Sequence, residues 1–521
     1  MNPWKLYAVL SGLLFGVSAW AADANPNIIV IYADDMGVGD VSGLNPEGKI
    51  PTPHIDRMID NGLALLNGHT TSSVCTPSRY GLLTGRYNWR SKRKAGVAGG
   101  FTKSEIAKGR STLATMLKKA GYHTGMIGKW HLGLDWVILP EAETDTEKSG
   151  SKKKAPNVDY TKPFRGGPVD HGFDSWFGIA ASLDMPPYVW LVDDRASEVP
   201  TVIKAFHRPG PAAESFEAID VLPRLGDESV AYIKRKAADA KKGKPFFLYV
   251  PLTSPHTPIL PSPEWQGKSQ IGTDYADFTM QTDGVVGQIL DALRETGLEE
   301  NTIVVFSADN GCSPAAGYGE HLEKGHNPSA IYRGHKADLY EGGHRVPLVI
   351  QWPEGAPAGR KSDQLVSLAD LMATFADLTG QQLADHEGED SISFLELLEG
   401  RSDKSARQRA IYHTINGKLA ITEGDWKLIV AKGSGGWTPP GARYQLSKKS
   451  KKHPKSKELK MGLYHLAEDI GEYNNLLTQL PEVAERLMNR LKNDIARGRS
   501  TPGVPQENDG KVPLYGVWKD K

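Results

Sequence analysis

The strongest constraint on this chain is a design used twice. Residues 27–37 run Asn27-Ile28-Ile29-Val30-Ile31-Tyr32-Ala33-Asp34-Asp35-Met36-Gly37, an unbroken apolar stretch closing on two adjacent carboxylates. Residues 301–311 repeat it, from Thr302 through Phe306 to Asp309-Asn310. An apolar run without polar alternation predicts a strand covered on both faces, as parallel strands are. Ligands of such sheets gather beyond the carboxyl ends of the strands. Adjacent aspartates repel each other, so an Asp-Asp pair is either a solvated turn or shares a cation. Two strands ending this way offer four oxygen ligands, Asp34, Asp35, Asp309 and Asn310, to one hard cation. Oxygen-only ligation suits Ca2+ best and also admits Mg2+, and no HExxH or CxxC pattern offers a zinc site.

The chain has 521 residues, enough for a large α/β domain and a smaller one. Lys+Arg and Asp+Glu both number 62, so no global field favours nucleic acid or a membrane surface. Residues 1–21 have the plan of a secretory signal: Lys5, an apolar stretch from Leu6 to Val17, and Ala19-Trp20-Ala21 as cleavage site. That stretch is short for a membrane span and holds no cysteine for a lipid anchor. The expectation is a periplasmic or secreted protein without a stable membrane anchor. Only two cysteines are present, Cys75 and Cys312, which leaves a disulfide between them open.

The stretch from Thr71 to Arg86 contains Cys75-Thr76-Pro77-Ser78-Arg79 and then Leu82-Leu83-Thr84-Gly85-Arg86. Thr76 and Pro77 suit a first helical turn, which would put Cys75 at a helix mouth, where negative charge is favoured, with Arg79 beside it. A lone buried cysteine can also be purely structural. Further on, residues 111–120 predict an amphipathic helix capped by Ser111 and stopped by Gly121. A short strand, Thr124 to Ile127, leads into Gly128-Lys129-Trp130-His131-Leu132-Gly133. If this segment is extended, Lys129 and His131 share one side. The strand 245–252 delivers His256 between two prolines, Pro255 and Pro258, which stiffen the backbone around it. A helix from Asp277 to Thr296 precedes the second carboxylate-ended strand. Beyond residue 405 short strands at 410–413, 419–422, 426–430 and 463–466 and a helix at 482–497 predict a small antiparallel unit. Residues 141–162 read as a polar surface insertion. The basic run 447–455 reads as a solvated loop or as a guide for a polyanion.

The Cys75–Arg86 string resembles the sulfatase signature Cys-x-Pro-Ser-Arg-x-x-x-Leu-Thr-Gly-Arg at every fixed position. Gly-Lys-Trp-His-Leu-Gly, Pro-His-x-Pro around His256, and Lys336 to Pro347 (Lys-x-x-x-Tyr-Glu-Gly-Gly-x-Arg-x-Pro) match further blocks of that family in order. The resemblance, to the formylglycine-dependent type I sulfatases, implies an alkaline phosphatase-like α/β fold. It has a large mixed, mostly parallel sheet sandwiched by helices (22–404) and a C-terminal antiparallel subdomain (405–521). It implies one Ca2+ held by Asp34, Asp35, Asp309, Asn310 and the group made from Cys75, which a maturation enzyme converts to formylglycine. Arg79 and Lys129 would hold its hydrate, and His131 would take a proton. His256, with Lys336, would protonate the leaving oxygen, and Asp309 would assist the attacking hydroxyl. Asp184, His344 and Arg345 are candidates for binding substrate, with support of the loop alone as the alternative for His344 and Arg345. The blocks at 171–178 and 321–345 look most like the N-acetylgalactosamine-6-sulfatase group. That implies an exo-acting sulfatase removing 6-O-sulfate from galactose or N-acetylgalactosamine units of a sulfated glycan. Two other readings stay open: a phosphate or phosphonate monoesterase of the same superfamily, and an inert glycan-binding protein.

Overall fold

The computed structural model describes residues 25–140, 155–439, 442–444 and 459–516. The expected leader, most of the insertion and the basic run lie outside these residues.

The two carboxylate-ended runs form neighbouring parallel strands, Asn27–Asp34 and Thr302–Ala308, paired from Asn27 with Thr302 to Ala33 with Ala308. They lie in the middle of a ten-stranded sheet. Taken by first residues, its order is 360, 63, 348, 302, 27, 246, 123, 175, 191 and 195. The five strands from 302 to 175 are all parallel; the strands outside them add antiparallel pairings. Every residue of the two central strands is buried, whichever face it points to, because helices cover both faces. The helices Pro53–Asp60, Val221–Ala240 and Asp274–Thr296 pack together as one layer, and Cys75–Thr84, Leu113–Lys119 and Leu371–Leu378 as another. This is the mixed, mostly parallel sheet between helices that the resemblance implies.

Local boundaries depart from expectation where side chains find better partners. The helix expected at 111–120 spans Leu113–Lys119, and its cap is Thr112, whose hydroxyl accepts from the Thr115 amide at 3.1 Å. Ser111 is drawn away instead to the carboxylate of Glu387. The strand expected at 245–252 continues to Pro255, so it carries Ser254-Pro255 to the lip of the site. The two cysteines are both buried and free, so the disulfide alternative is not realised.

A second sheet, Arg409–His413, Leu419–Glu423, Trp426–Ile429 and Gly462–His465, is antiparallel throughout. One face buries Ile411, Ile421 and Leu428 against Leu487 and Leu491 of the helix Pro481–Ala496, with Tyr87 and Trp89. Its other face sets Tyr412, Ala420 and Tyr464 against Leu339 and Tyr340, three and four residues after Lys336. The end of the first strand reaches further in. The His413 carbonyl accepts from Ser72 Oγ at 2.9 Å and the Ser73 amide at 3.1 Å, just ahead of Cys75. The small sheet therefore holds the loop that presents the cysteine.

Arg407, at the entry to this sheet, is fully buried and doubly bonded to Asp370, Nε to Oδ2 at 2.6 Å and Nη2 to Oδ1 at 2.5 Å. Replacing it strands a buried carboxylate, which costs about 3–5 kcal/mol. Urea denaturation of Arg407→Met should show that loss. Arg486→Ala, which removes a surface ion pair with Glu423, should cost under about 1 kcal/mol. Equal effects would contradict this account. Buried His413 is also depressed, to about 3, because its ring is desolvated. Unfolded histidine binds protons near 6.5, so the folded state loses stability as pH falls from 6.5 towards 3, about 2 kcal/mol between pH 7 and 5. His413→Gln should remove that share of the pH slope; an unchanged slope would show that the ring is not held neutral.

Candidate active site

The loops after the central strands bring Asp34, Asp35, Asp309 and Asn310 together, all buried. Asp35 takes a left-handed backbone conformation, φ 65°, which turns its side chain back to the sheet edge. Its amide donates to Asp309 Oδ1 at 3.1 Å, tying the two strand ends to each other. Asn310 Nδ2 donates to Asp35 Oδ1 at 2.7 Å. Behind this edge, Tyr275 donates to Asp40 Oδ2 at 2.6 Å and contacts the Asp35 carbonyl oxygen at 3.3 Å. Asp40 and Tyr275 are absent from the sequence-based expectations, although a carboxylate in the apolar, glycine-rich stretch 36–41 is a signal of burial with a partner.

Three cationic side chains answer the carboxylates. Lys129 Nζ donates to Asp34 Oδ2 at 2.5 Å and Lys336 Nζ to Asp35 Oδ1 at 2.5 Å. Arg79 places Nε and Nη2 on Asp309 Oδ2 at 3.1 and 2.7 Å, and Nη1 on the Lys129 carbonyl at 3.4 Å. Although burial opposes it, Lys129, with His256, Arg79 and Lys336, holds Asp34 well below the usual carboxylate range. Burial and the Asp34 charge push Asp309 up, against the pull of Arg79.

Three buried oxygens converge here with no donor: Asp34 Oδ1, Asp35 Oδ2 and Asn310 Oδ1. Buried acceptors without partners are costly. A donor-free set of two carboxylate oxygens and one amide oxygen is the coordination chemistry of a hard cation. A divalent ion would also relieve the repulsion that raises Asp309. The residues present fit the expected metal, and the Nε2 of His256 lies 3.6 Å from Asp35 Oδ2 at the rim of the same cluster.

Cys75 opens the helix Cys75–Thr84, at its first residue as expected. Gly81 lets this helix lie against Thr71, whose Oγ1 would sit 2.2 Å from a Cβ there. The Cys75 thiol is pushed up to about 11 by burial, despite Lys129 and Lys336. An unmodified thiol here is protonated at neutral pH and a poor nucleophile.

His131 shows a correction to the strand reading. The strand spans His123–Lys129, and His131 is left-handed at φ 58°, so a turn rather than strand alternation orients its ring. Its Nε2 faces the Ala98 carbonyl at 2.8 Å, which puts the proton of the neutral ring on Nε2. The Nδ1 lone pair is buried with no partner. Burial and the charges of Lys129 and Arg79 keep the ring neutral. It is set as a proton acceptor.

His256 is arranged the other way round. Nδ1 is 2.5 Å from the Thr257 carbonyl and 3.3 Å from Ser182 Oγ, so Nδ1 carries a proton and Nε2 faces the site. Burial lowers it, and the Asp35 charge works against that. Asp184, two residues from Ser182, also lies in this field and pairs with Arg208.

His344 and Arg345 are not brought to the site. Both turn to Glu341, in a buried cluster with His69 and Lys427 beneath the small sheet. Lys427 Nζ donates to Glu341 Oε1 at 2.8 Å and contacts Glu472 Oε1 at 2.9 Å, filling the space that His69, Glu341 and His344 would offer a metal. Their expected role in binding substrate is replaced by support of the loop that carries Lys336.

The family model described as Sulfatase matches residues 26–381, and one described as N-sulphoglucosamine sulphohydrolase, C-terminal, matches residues 335–430. The chain belongs to the sulfatase family. It is 34% identical to the N-acetylgalactosamine-6-O-sulfatase of Bacteroides thetaiotaomicron, over 90% of this chain and 92% of that one. It is 32% identical to the human N-acetylgalactosamine-6-sulfatase, over 74% and 68%. Among solved structures it superposes on a Bacteroides thetaiotaomicron sulfatase described in connection with metabolism of multiple glycosaminoglycans. The TM-score is 0.74 and the identity 29%, covering 90% of this chain and 99% of that one. It is thus a sulfuric ester hydrolase, with curated relatives that act on sulfated carbohydrate.

Adding Ca2+ to chelated protein should raise the melting temperature by a few degrees, since a ligand at a hundred times Kd contributes about 2.7 kcal/mol. Asp35→Asn should abolish most of the shift. The same melting point with and without Ca2+ or Mg2+ would refute the metal assignment.

Proposed function

We propose that this sulfatase is exported and removes 6-O-sulfate from terminal galactose or N-acetylgalactosamine units of a sulfated glycan, using formylglycine made from Cys75 by a maturation enzyme and one Ca2+. The observation that carries the chemistry is Cys75 at a buried helix mouth, beside Lys129 and Lys336 and opposite an imidazole, His131, with a free buried lone pair. Support for the substrate comes from the relatives named for N-acetylgalactosamine-6-sulfate. Export rests on residues 1–21 of the sequence.

A sulfate monoester resists attack because its oxygens are negative and its alkoxide leaves poorly. Asp34, Asp35, Asp309 and Asn310 would hold a cation that, when bound, would neutralise sulfate oxygens, and a formylglycine hydrate at position 75 would supply the nucleophilic hydroxyl. The protein's own residues do the rest. Arg79 is locked on Asp309 and Lys129 on Asp34, so their positive charge is fixed before substrate arrives. Lys336, locked on Asp35, adds a third cation to the cluster. His131 Nδ1 accepts a proton without any change of tautomer, because its Nε2–H stays on the Ala98 carbonyl. His256 presents Nε2 outward; a bound sulfate anion and Asp35 favour its protonated form, which can then donate to the leaving sugar oxygen.

The test pairs modification with turnover. The tryptic peptide Met58–Arg79 from active protein should be lighter by the thiol-to-aldehyde change, with its hydrate. Cys75→Ala should lose all but a trace of sulfate release from 6-sulfated N-acetylgalactosamine. An intact cysteine in fully active enzyme, or substantial activity of Cys75→Ala, would overturn the reading.

A further inference from the structure

We propose that Asp184 and Arg208 form the subsite that reads hydroxyl groups of the sulfated sugar, with Asp184 Oδ1 as acceptor and the Arg208 guanidinium as donor. The proposal rests on the sugar-sulfate reading above and extends it to two residues that bind the leaving group.

Asp184 is 5% exposed and its Oδ1 is buried with no hydrogen-bond donor on it, while the Ser182 hydroxyl lies beside the carboxylate. Its Oδ2 is held by Arg208 Nη2 at 3.3 Å. The carboxylate is ionised: although burial opposes it, His256, Arg208 and Lys129 hold it below its ordinary value. An ionised, desolvated acceptor without a donor, close to His256 and Lys129, is costly by itself. It is answered by a ligand that brings hydroxyl donors. A sulfate group cannot do this, because it is all acceptor and negative, and Asp184 would repel it. The carbohydrate part of a sugar sulfate can.

The placement is outward from the chemistry. Ser182 lies against His256 Nδ1, Asp184 follows two residues later, and Arg208 lies beyond it with its side chain half exposed. The wall is rigid. Arg208 sits in the turn between the strands Val202–Ala205 and Pro209–Ala212. Buried Tyr188 donates its hydroxyl to the Arg208 carbonyl at 2.5 Å and its amide to the Pro211 carbonyl at 2.9 Å. Gly210 lets the hairpin lie on Pro186, since a Cβ at that position would meet the proline ring at 2.3 Å. The Arg208 backbone is thereby pinned while its guanidinium keeps donors free for an oxygen acceptor. A carboxylate and a guanidinium held side by side suit a pair of neighbouring hydroxyls, one donating and one accepting.

The experiment compares two esters on the whole, Ca2+-loaded enzyme: a 6-sulfated N-acetylgalactosaminide, and an aryl sulfate that has no sugar. The readout is the ratio of kcat/KM on the sugar ester to that on the aryl ester. In Asp184→Asn and in Arg208→Gln this ratio should fall on the order of 100-fold, the loss typical of charge-assisted hydrogen bonds. Wild type should also discriminate against a sugar ester lacking the 3- and 4-hydroxyls, and Asp184→Asn should lose most of that discrimination. Arg208 is half exposed, so its variant keeps the test valid if Asp184→Asn folds poorly. An unchanged ratio in both variants, or full discrimination retained in Asp184→Asn, would overturn the subsite. Wild-type turnover of the aryl ester with none of the sugar ester would instead overturn the substrate reading and the subsite that rests on it.

Discussion

Burying three carboxylates at one sheet edge is the condition on which this molecule depends. Asp34, Asp35 and Asp309 are fully desolvated, and each is met by its own cation: Lys129, Lys336 and Arg79 in turn. Arg79 comes from the helix Cys75–Thr84, Lys129 from the end of the strand His123–Lys129 and Lys336 from the segment before the helix Glu341–His344, so the charge balance also fixes how these elements meet. Losing any one partner leaves a buried charge uncompensated, a penalty larger than the pair's net contribution. A divalent ion added to this balanced set leaves the pocket with an excess of positive charge. That is the state that receives an anionic ester.

The small antiparallel sheet belongs to this arrangement rather than standing apart from it. Its first strand ends on the carbonyl that holds Ser72 and Ser73, and one of its faces packs on Leu339 and Tyr340. Lys427 reaches from its third strand to Glu341. The loops bearing Cys75 and Lys336 are also tied directly, through the Ala337 amide and the Ser73 carbonyl at 2.7 Å. The C-terminal unit thus acts as a brace on the two loops whose positions matter most for chemistry.

How much of this was readable from the sequence follows from the range of each interaction. The central strands announce themselves because a doubly covered strand is a local pattern of apolar residues. The four short strands after residue 405 were also placed to within a few residues, by alternation and turns. Contiguous motifs placed Cys75, Arg79, Lys129, His131, His256 and Lys336, and the structure brings all six to one edge. The cap at Thr112 was misread because the pull of Glu387 on Ser111 comes from 276 residues away. His344 and Arg345 were assigned to substrate because they share a motif with Lys336, yet a short helix, Glu341–His344, turns them inward. Arg208 carries no local signal; its meaning appears only when a hairpin folds it against Asp184.

The burial of Cys75 has a consequence in time as well as in space. The residue is 3% exposed, every residue of its helix is buried, and the loop before it is bonded to two other segments. A modifying enzyme of the kind proposed above would have to reach a residue that this packed helix buries. On the proposed conversion of Cys75, modification and closure of the domain would compete for the same segment. The strand that braces it, Arg409–His413, lies over 300 residues downstream. Synthesis of those residues leaves an interval in which the segment stays open. On that proposal, sequence distance between Cys75 and its brace acts as a delay, and a chain that folded faster through this segment would yield more unconverted protein.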